Sequence, residues 1–203
     1  MNERVCREQQ RFWDSYLDVV DTIYLDLDDT LVDLTGVLLQ KFGHEESERS
    51  KITSYNLAPV IGRYRSEVQF WEDVSRFGID LWADLQPTTH GKVLLDFCKT
   101  LEKERGIKWQ IVTALVPQEH GECAKVSAAG KVAWAINQNL LDRLCICTNK
   151  SAHAAPTKLL IDDRQESVES FRKAGGLALT FPQPWNTGTT VKQLYDDIHA
   201  PRW

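Results

Sequence analysis

Apolar residues along the chain gather into five short, nearly continuous runs separated by longer amphipathic stretches. The runs are TIYL at 22–25, WQIVTAL at 109–115, RLCICT at 143–148, KLLIDD at 158–163 and LALTF at 177–181. Short runs of this kind predict parallel strands covered on both faces. Between them the pattern predicts helices at about 89–104, 122–139 and 164–174, the last stopped by Gly175 and Gly176. Alternating strands and helices make the expected fold α/β, a doubly wound parallel sheet. The first twenty residues also read as an amphipathic helix, with Val5, Phe12, Trp13, Tyr16 and Leu17 facing inward.

One stretch breaks the rhythm. From about 34 to 84 the chain holds helix-like segments (Thr35–Phe42 and Ser66–Phe77) around a polar break at Ser54–Pro59. This is far more than a crossover between parallel strands needs, and such insertions are usually functional or small domains themselves. The expected organisation is a helical cap at 34–84, inserted after the first strand of an α/β core made from 1–33 and 85–203.

Composition narrows the function classes. A net charge of −5 argues against a nucleic-acid polymer as partner. No apolar run reaches the roughly 18 residues of a membrane span, and the N-terminus is too polar for a signal peptide. The five cysteines are odd in number and form no CxxC pair, so neither a disulfide framework nor a zinc site is expected. Cys145 and Cys147 read as part of a buried strand, and a reducing cytoplasm is the expected location.

Ligands of open parallel sheets bind at the carboxyl ends of the strands. The first strand here ends in Asp26, Asp28, Asp29 and Thr30, the second in Thr113, and the fourth in Asp162 and Asp163; Lys150 follows the third. Taken singly, an Asp after a strand is usually a helix cap or turn residue, and a lone lysine is usually solvated. Together, two carboxylate clusters on strands of one polarity would repel unless a cation sat between them. Oxygen ligands without His or Cys suit magnesium. With a metal neutralising phosphate oxygens, a carboxylate such as Asp26 can attack phosphorus. Asp28, two residues on and pointing to the same side, can then move the proton, while Thr113 and Lys150 hold phosphoryl oxygens.

These residues resemble the four motifs of the haloacid dehalogenase superfamily of phosphohydrolases: IYLDLDDTL, WQIVT, the lysine of CTNKS and LLIDD, in that order over about 21–181. The resemblance implies a nucleophile at Asp26, a general acid/base at Asp28, and phosphate contacts from Thr113 and Lys150. It implies Mg2+ on the Asp26 carboxylate, the Asp28 carbonyl and the pair Asp162 and Asp163, without ranking the two. DLDDTLVDLTGVLLQKF, the Lys131–Trp134 segment and Lys150 ahead of LLIDDR are similar to the 5′(3′)-deoxyribonucleotidases. The implied substrate is a small phosphorylated molecule, foremost a nucleoside monophosphate. Three departures stand out: Asp29 for the usual glycine, Leu34 for an aromatic residue against the base, and a longer loop after Thr113.

Substrate contacts are expected from Leu34, Trp71, Trp82, Ala114 and Lys131. Trp71 and Trp82 can stack on a base or pack the cap's own core, and Lys131 has a second reading as a salt-bridge partner of Asp162 or Asp163. Trp109 and Trp134 read as structural, and Arg63 and Arg65 as a solvated face. A phosphatase for another small phosphate such as a sugar phosphate, a phosphotransferase and a non-catalytic binding module are the rival functions. A homodimer stays open.

Overall fold

A computed structural model of the chain describes residues 17–186 apart from 55, 62, 63 and 65. The expected N-terminal helix therefore lies outside the described residues except at its end, where 17–19 are helical; Arg63 and Arg65 also fall outside them.

Strand β1 (Thr22–Leu25) runs up the middle of the molecule, buried at every position. It pairs in parallel with β2 (Lys108–Thr113) on one side and β4 (Lys158–Asp162) on the other. Beyond these lie β3 (Leu144–Ile146) and β5 (Leu177–Thr180), giving an all-parallel sheet of order β3-β2-β1-β4-β5. Side chains alternate across a strand, and here both faces are covered. Ile23, Leu25, Ile111, Leu159 and Ile161 enter one apolar cluster, whereas Tyr24, Val112, Leu160 and Ala178 enter another with Val168 and Phe171. Burial on both faces is why β1 and β4 read as continuous apolar runs.

Helix α5 (Thr89–Arg105) precedes β2; the Thr88 side chain caps it by accepting from the Gly91 N–H, and left-handed Gly106 (φ 71°) ends it. Helix α6 (Glu122–Asn137) leads to β3, and α7 (Gln165–Lys173) joins β4 to β5. Strand β2 is shorter than its apolar run, stopping at Thr113 because the Ala114 carbonyl leaves the ladder to accept from Lys131. Strand β3, an edge strand, is shorter still; the chain soon tightens into a 3₁₀ turn at Lys150–His153.

The stretch between β1 and α5 is helical, as its pattern predicts. It holds α1 (Leu34–Lys41), a 3₁₀ turn (Glu46–Lys51), α2 (Ala58–Ile61), α3 (Glu67–Ser75) and α4 (Asp80–Ala83). The Asp33 side chain caps α1 through the Gly36 N–H, and Ser66 caps α3 through that of Gln69. Phe70, Val74, Leu81 and Trp82 belong to the same cluster as Ile23 and Leu25, so these helices share the sheet's core. The α4–α6 contact is close: a Cβ on Gly130 would stand 2.7 Å from the Ile79 carbonyl oxygen and 2.8 Å from the Trp82 Cβ. Trp109 and Trp134 are buried, and their indole N–H groups donate to Glu102 and the Leu85 carbonyl. Both are structural, as expected. No described helix is long and apolar enough to cross a membrane.

Candidate active site

At the centre of the sheet the strand order reverses, and the carboxyl ends of β1 and β4 lie side by side. That switch point is where such sheets open a crevice for ligands. Asp26 continues β1 by one residue, its N–H donating to the Ile161 carbonyl at 2.9 Å, and its side chain is buried. The chain then turns sharply, with the N–H groups of Leu31 and Val32 both directed at the Leu27 carbonyl.

Asp29 sits in that turn with φ 56°, a conformation that glycine adopts most readily and that Asp tolerates better than most residues. Its carboxylate accepts from the Thr35 N–H (2.9 Å) and hydroxyl (2.7 Å), at the start of α1. These two hydrogen bonds hold an aspartate in a backbone conformation that glycine adopts more readily.

Two lysines serve the carboxylates. Lys131 reaches up from α6, 1 % exposed, to three oxygens: Asp28 Oδ2 (2.7 Å), Thr113 Oγ1 (2.9 Å) and the Ala114 carbonyl. Lys150, buried in its turn, reaches Asp26 Oδ1 at 2.6 Å and Asp162 Oδ2 at 2.7 Å. Lys131 therefore pairs with Asp28, and it is Lys150 that bridges to the β4 carboxylates; the alternative salt bridge from Lys131 to Asp162 or Asp163 is not formed. The second oxygen of Asp28, Oδ1, is buried without a hydrogen-bond partner.

At the end of β4, Asp162 Oδ1 accepts from the Arg164 N–H (2.9 Å). Thus Asp162, not Asp163, provides the local backbone contact at the start of α7. Asp163 Oδ2 instead accepts from the Trp185 indole N–H at 3.1 Å. Carboxylate oxygens of Asp26, Asp162 and Asp163 lie within 4.8 Å of one another, and all three residues are buried.

The electrostatics follow from that crowding. Burial raises the pKa of Asp162, with Lys150 opposing it. Burial, then the charges of Asp162 and Asp26, pushes Asp163 well above the usual carboxylate range. Burial raises Asp28 against the pull of Lys131. Burial also lifts Asp29 to about 7, with the Thr35 hydrogen bonds opposing. Desolvation would lower Lys150, but Asp26 and Asp162 outweigh it and hold its pKa raised. One ammonium among three carboxylates leaves negative charge uncompensated, and oxygen-only donors at this spacing suit a hard divalent cation such as magnesium.

Not every expected contact gathers here. Leu34 and Trp82 are core residues, 7 % and 1 % exposed, and the Trp82 indole N–H has no partner. Neither presents a face on which a base could stack. Trp71 is half-buried, donates to Glu67 at 3.3 Å and tilts against His120 with ring centroids 6.2 Å apart. The pattern of the sequence did not point to Gln183, Trp185 or Asn186. The available signal was their position just past β5, on the carboxyl edge where ligands bind.

No family profile matches the sequence, and no curated protein matches it. Among solved structures, a haloacid dehalogenase-like family hydrolase from Streptococcus pneumoniae aligns over 88% of this chain and 91% of its own, with TM-score 0.53 and 14% identity. The fold is haloacid dehalogenase-like. A haloacid dehalogenase-like hydrolase from Xanthomonas campestris aligns at TM-score 0.48 and 12% identity, over 90% of this chain and 94% of that one. A magnesium-bound HAD-hydrolase from Bacillus subtilis aligns at 0.47 and 14%, over 78% and 85%.

Proposed function

We propose that this chain is a magnesium-dependent phosphomonoesterase that works through an aspartyl-phosphate on Asp26, with a nucleoside monophosphate as the favoured substrate. The observation that carries the reading is the buried trio Asp26, Asp162 and Asp163, with oxygens within 4.8 Å and Lys150 between two of them. A carboxylate that merely displaced a group at carbon would need no such cluster. Neutralising phosphoryl oxygens does.

Asp26, Asp162, Asp163 and the Asp28 carbonyl would hold the magnesium ion. Once bound, it supplies charge neutralisation for the carboxylates and the phosphate. The Asp26 carboxylate attacks phosphorus, and the bond from phosphorus to the leaving oxygen breaks. Asp28, with a raised pKa and a free buried Oδ1, gives that oxygen its proton. Asp28 then takes a proton from water as the water attacks phosphorus, and Asp26 leaves with inorganic phosphate released.

Lys150 holds Asp26 in place and shares its charge with phosphoryl oxygens as negative charge develops. Thr113 accepts from Lys131, which leaves its hydroxyl hydrogen held only by a 3.5 Å contact to the Ala114 carbonyl and available to phosphate. Residues 34–84 act as a cap that limits water and reads the leaving group, with Trp71 its candidate aromatic contact.

The nucleotide reading rests on the DLDDTLVDLTGVLLQKF pattern and on Lys131 beside Thr113. Burial of Leu34 and Trp82 favours a second reading, a smaller substrate such as a sugar phosphate. Phosphate release from nucleoside 5′- and 3′-monophosphates, sugar phosphates and p-nitrophenyl phosphate tests both, with EDTA and Asp26→Asn as controls. Turnover of nucleotides that is lost in both controls is expected. Turnover of sugar phosphates alone moves the substrate to the second reading, and silence across the panel sinks the phosphatase.

A further inference from the structure

We propose that the segment 181–186, which leaves β5, is the positioning element of the metal site, with Trp185 and Asn186 holding Asp163 in place. The inference rests on Asp163 serving as a magnesium ligand.

The indole N–H can only donate, so its 3.1 Å contact commits Asp163 Oδ2 as an acceptor and leaves the other oxygen for a ligand. The main chain of the same residue is held as well. Asn186 Nδ2 donates to the Asp163 carbonyl at 2.6 Å and to the Phe181 carbonyl at 2.8 Å. Asn186 Oδ1 accepts from the Gln183 N–H at 2.9 Å, which closes the segment on itself. Both ends of the Asp163 residue, side chain and backbone, are thus fixed by two consecutive residues from outside its own strand.

The segment is anchored on both sides. Phe181 is buried, and its N–H donates to the Asp162 carbonyl at 2.8 Å, extending the β4–β5 ladder to the foot of the acidic pair. Gln183 Nε2 donates to the Asp29 carbonyl in the turn after β1, while its Oε1 accepts from Arg49 at 3.3 Å. Arg49 is itself paired with Asp33, the cap of α1. One short loop therefore touches the β4 carboxylates, the turn that carries Asp28, and the inserted helices.

Asp163 needs such support more than its neighbours do. Lys150 reaches Asp26 and Asp162, whereas the Trp185 indole N–H that donates to the Asp163 carboxylate is neutral. A ligand held by a neutral donor keeps its full charge for the cation while its rotamer is fixed.

The test is a calorimetric Mg2+ titration of the metal-free protein and of Trp185→Phe, which keeps an aromatic ring and loses the donor. Trp185→Phe is expected to weaken Mg2+ binding about tenfold, the lower end of the range for outer-shell partners. The activation constant for Mg2+ should rise in parallel, with kcat at saturating metal within about twofold of wild type. A fall in the metal-free melting temperature with Mg2+ affinity unchanged would mean simple packing and overturn the proposal. Should Trp185→Phe fail to fold, Asn186→Ala takes its place with the same two outcomes. A wild-type protein that binds Mg2+ but hydrolyses no phosphate sinks the phosphatase reading and leaves this comparison intact. A wild-type protein that binds no Mg2+ overturns both.

Discussion

Lys131 and Lys150 divide the carboxylates between them, and that division separates two jobs. Lys150 holds Asp26 and Asp162, the proposed nucleophile and a proposed metal ligand, while Lys131 holds Asp28 and Thr113. Asp28 thereby keeps one oxygen fixed and one free, as the proton transfer proposed for it requires. Asp28→Asn is expected to lower kcat by about 10²–10⁴ on alkyl phosphates. In the first chemical step, read as the burst of alcohol or p-nitrophenol released before steady turnover, the loss should be much smaller on p-nitrophenyl phosphate, whose leaving group departs without a proton. Equal losses on both substrates would remove Asp28 from the proton transfer. Asp29 makes a different prediction. Its folded-state pKa, about 7, lies above the unfolded value of 3.8. Between those values the folded protein keeps a proton that the unfolded chain has released, so this group makes stability fall as pH rises from about 4 through about 7. Asp29→Asn cannot ionise. Its melting temperature in EDTA should decline less with rising pH than that of wild type, and identical slopes would contradict the raised pKa.

At the scale of elements, what the sequence made legible follows from regular geometry. Five apolar runs became five strands, and their polar ends marked Asp26, Thr113 and Asp162–Asp163 before any contact was known. Lys150 was placed by order alone. Which lysine meets which carboxylate was not legible, because α6 must first pack against the sheet to aim Lys131 at Thr113 and Asp28. The burial of Trp82 depends likewise on α4 and α6 closing over each other. The loop 181–186 has no periodicity, so nothing local announced its contacts to Asp163. The approach of α5 to the turn after β1 is another long-range constraint. A Cβ on Gly91 would overlap the Leu31 carbonyl, which also accepts from the Thr88 N–H at 2.9 Å. Backbone cannot yield as a flexible side chain does. Gly91→Ala should destabilise the protein by about 1–3 kcal/mol in denaturant unfolding. It should also displace the Leu27–Val32 turn and depress kcat. A variant as stable and active as wild type would show that α5 can slide.

Across the whole molecule, the sheet's central position for β1 and β4 concentrates negative charge in its least hydrated place. Asp26, Asp162 and Asp163 are all at most 4 % exposed, and the chain's net charge is already −5. Folding without a cation must hold these groups together against mutual repulsion, either ionised at a cost or protonated through raised pKa values. A cation that binds only the folded arrangement relieves that repulsion and stabilises the fold by mass action. At a Mg2+ concentration 100 times its Kd, the gain should be about 2.7 kcal/mol. For a domain of this size that corresponds to a rise of roughly 5–10 °C in melting temperature. Asp163→Asn removes one carboxylate from the trio and one ligand from the ion. In EDTA near pH 8 it should therefore melt above wild type, and with Mg2+ it should gain less. The opposite signs are the useful feature, since general damage to the core lowers both values together. If wild type melts at the same temperature with Mg2+ and with EDTA, the buried trio is not a cation site. The reaction assigned to Asp26 then loses its neutralising charge.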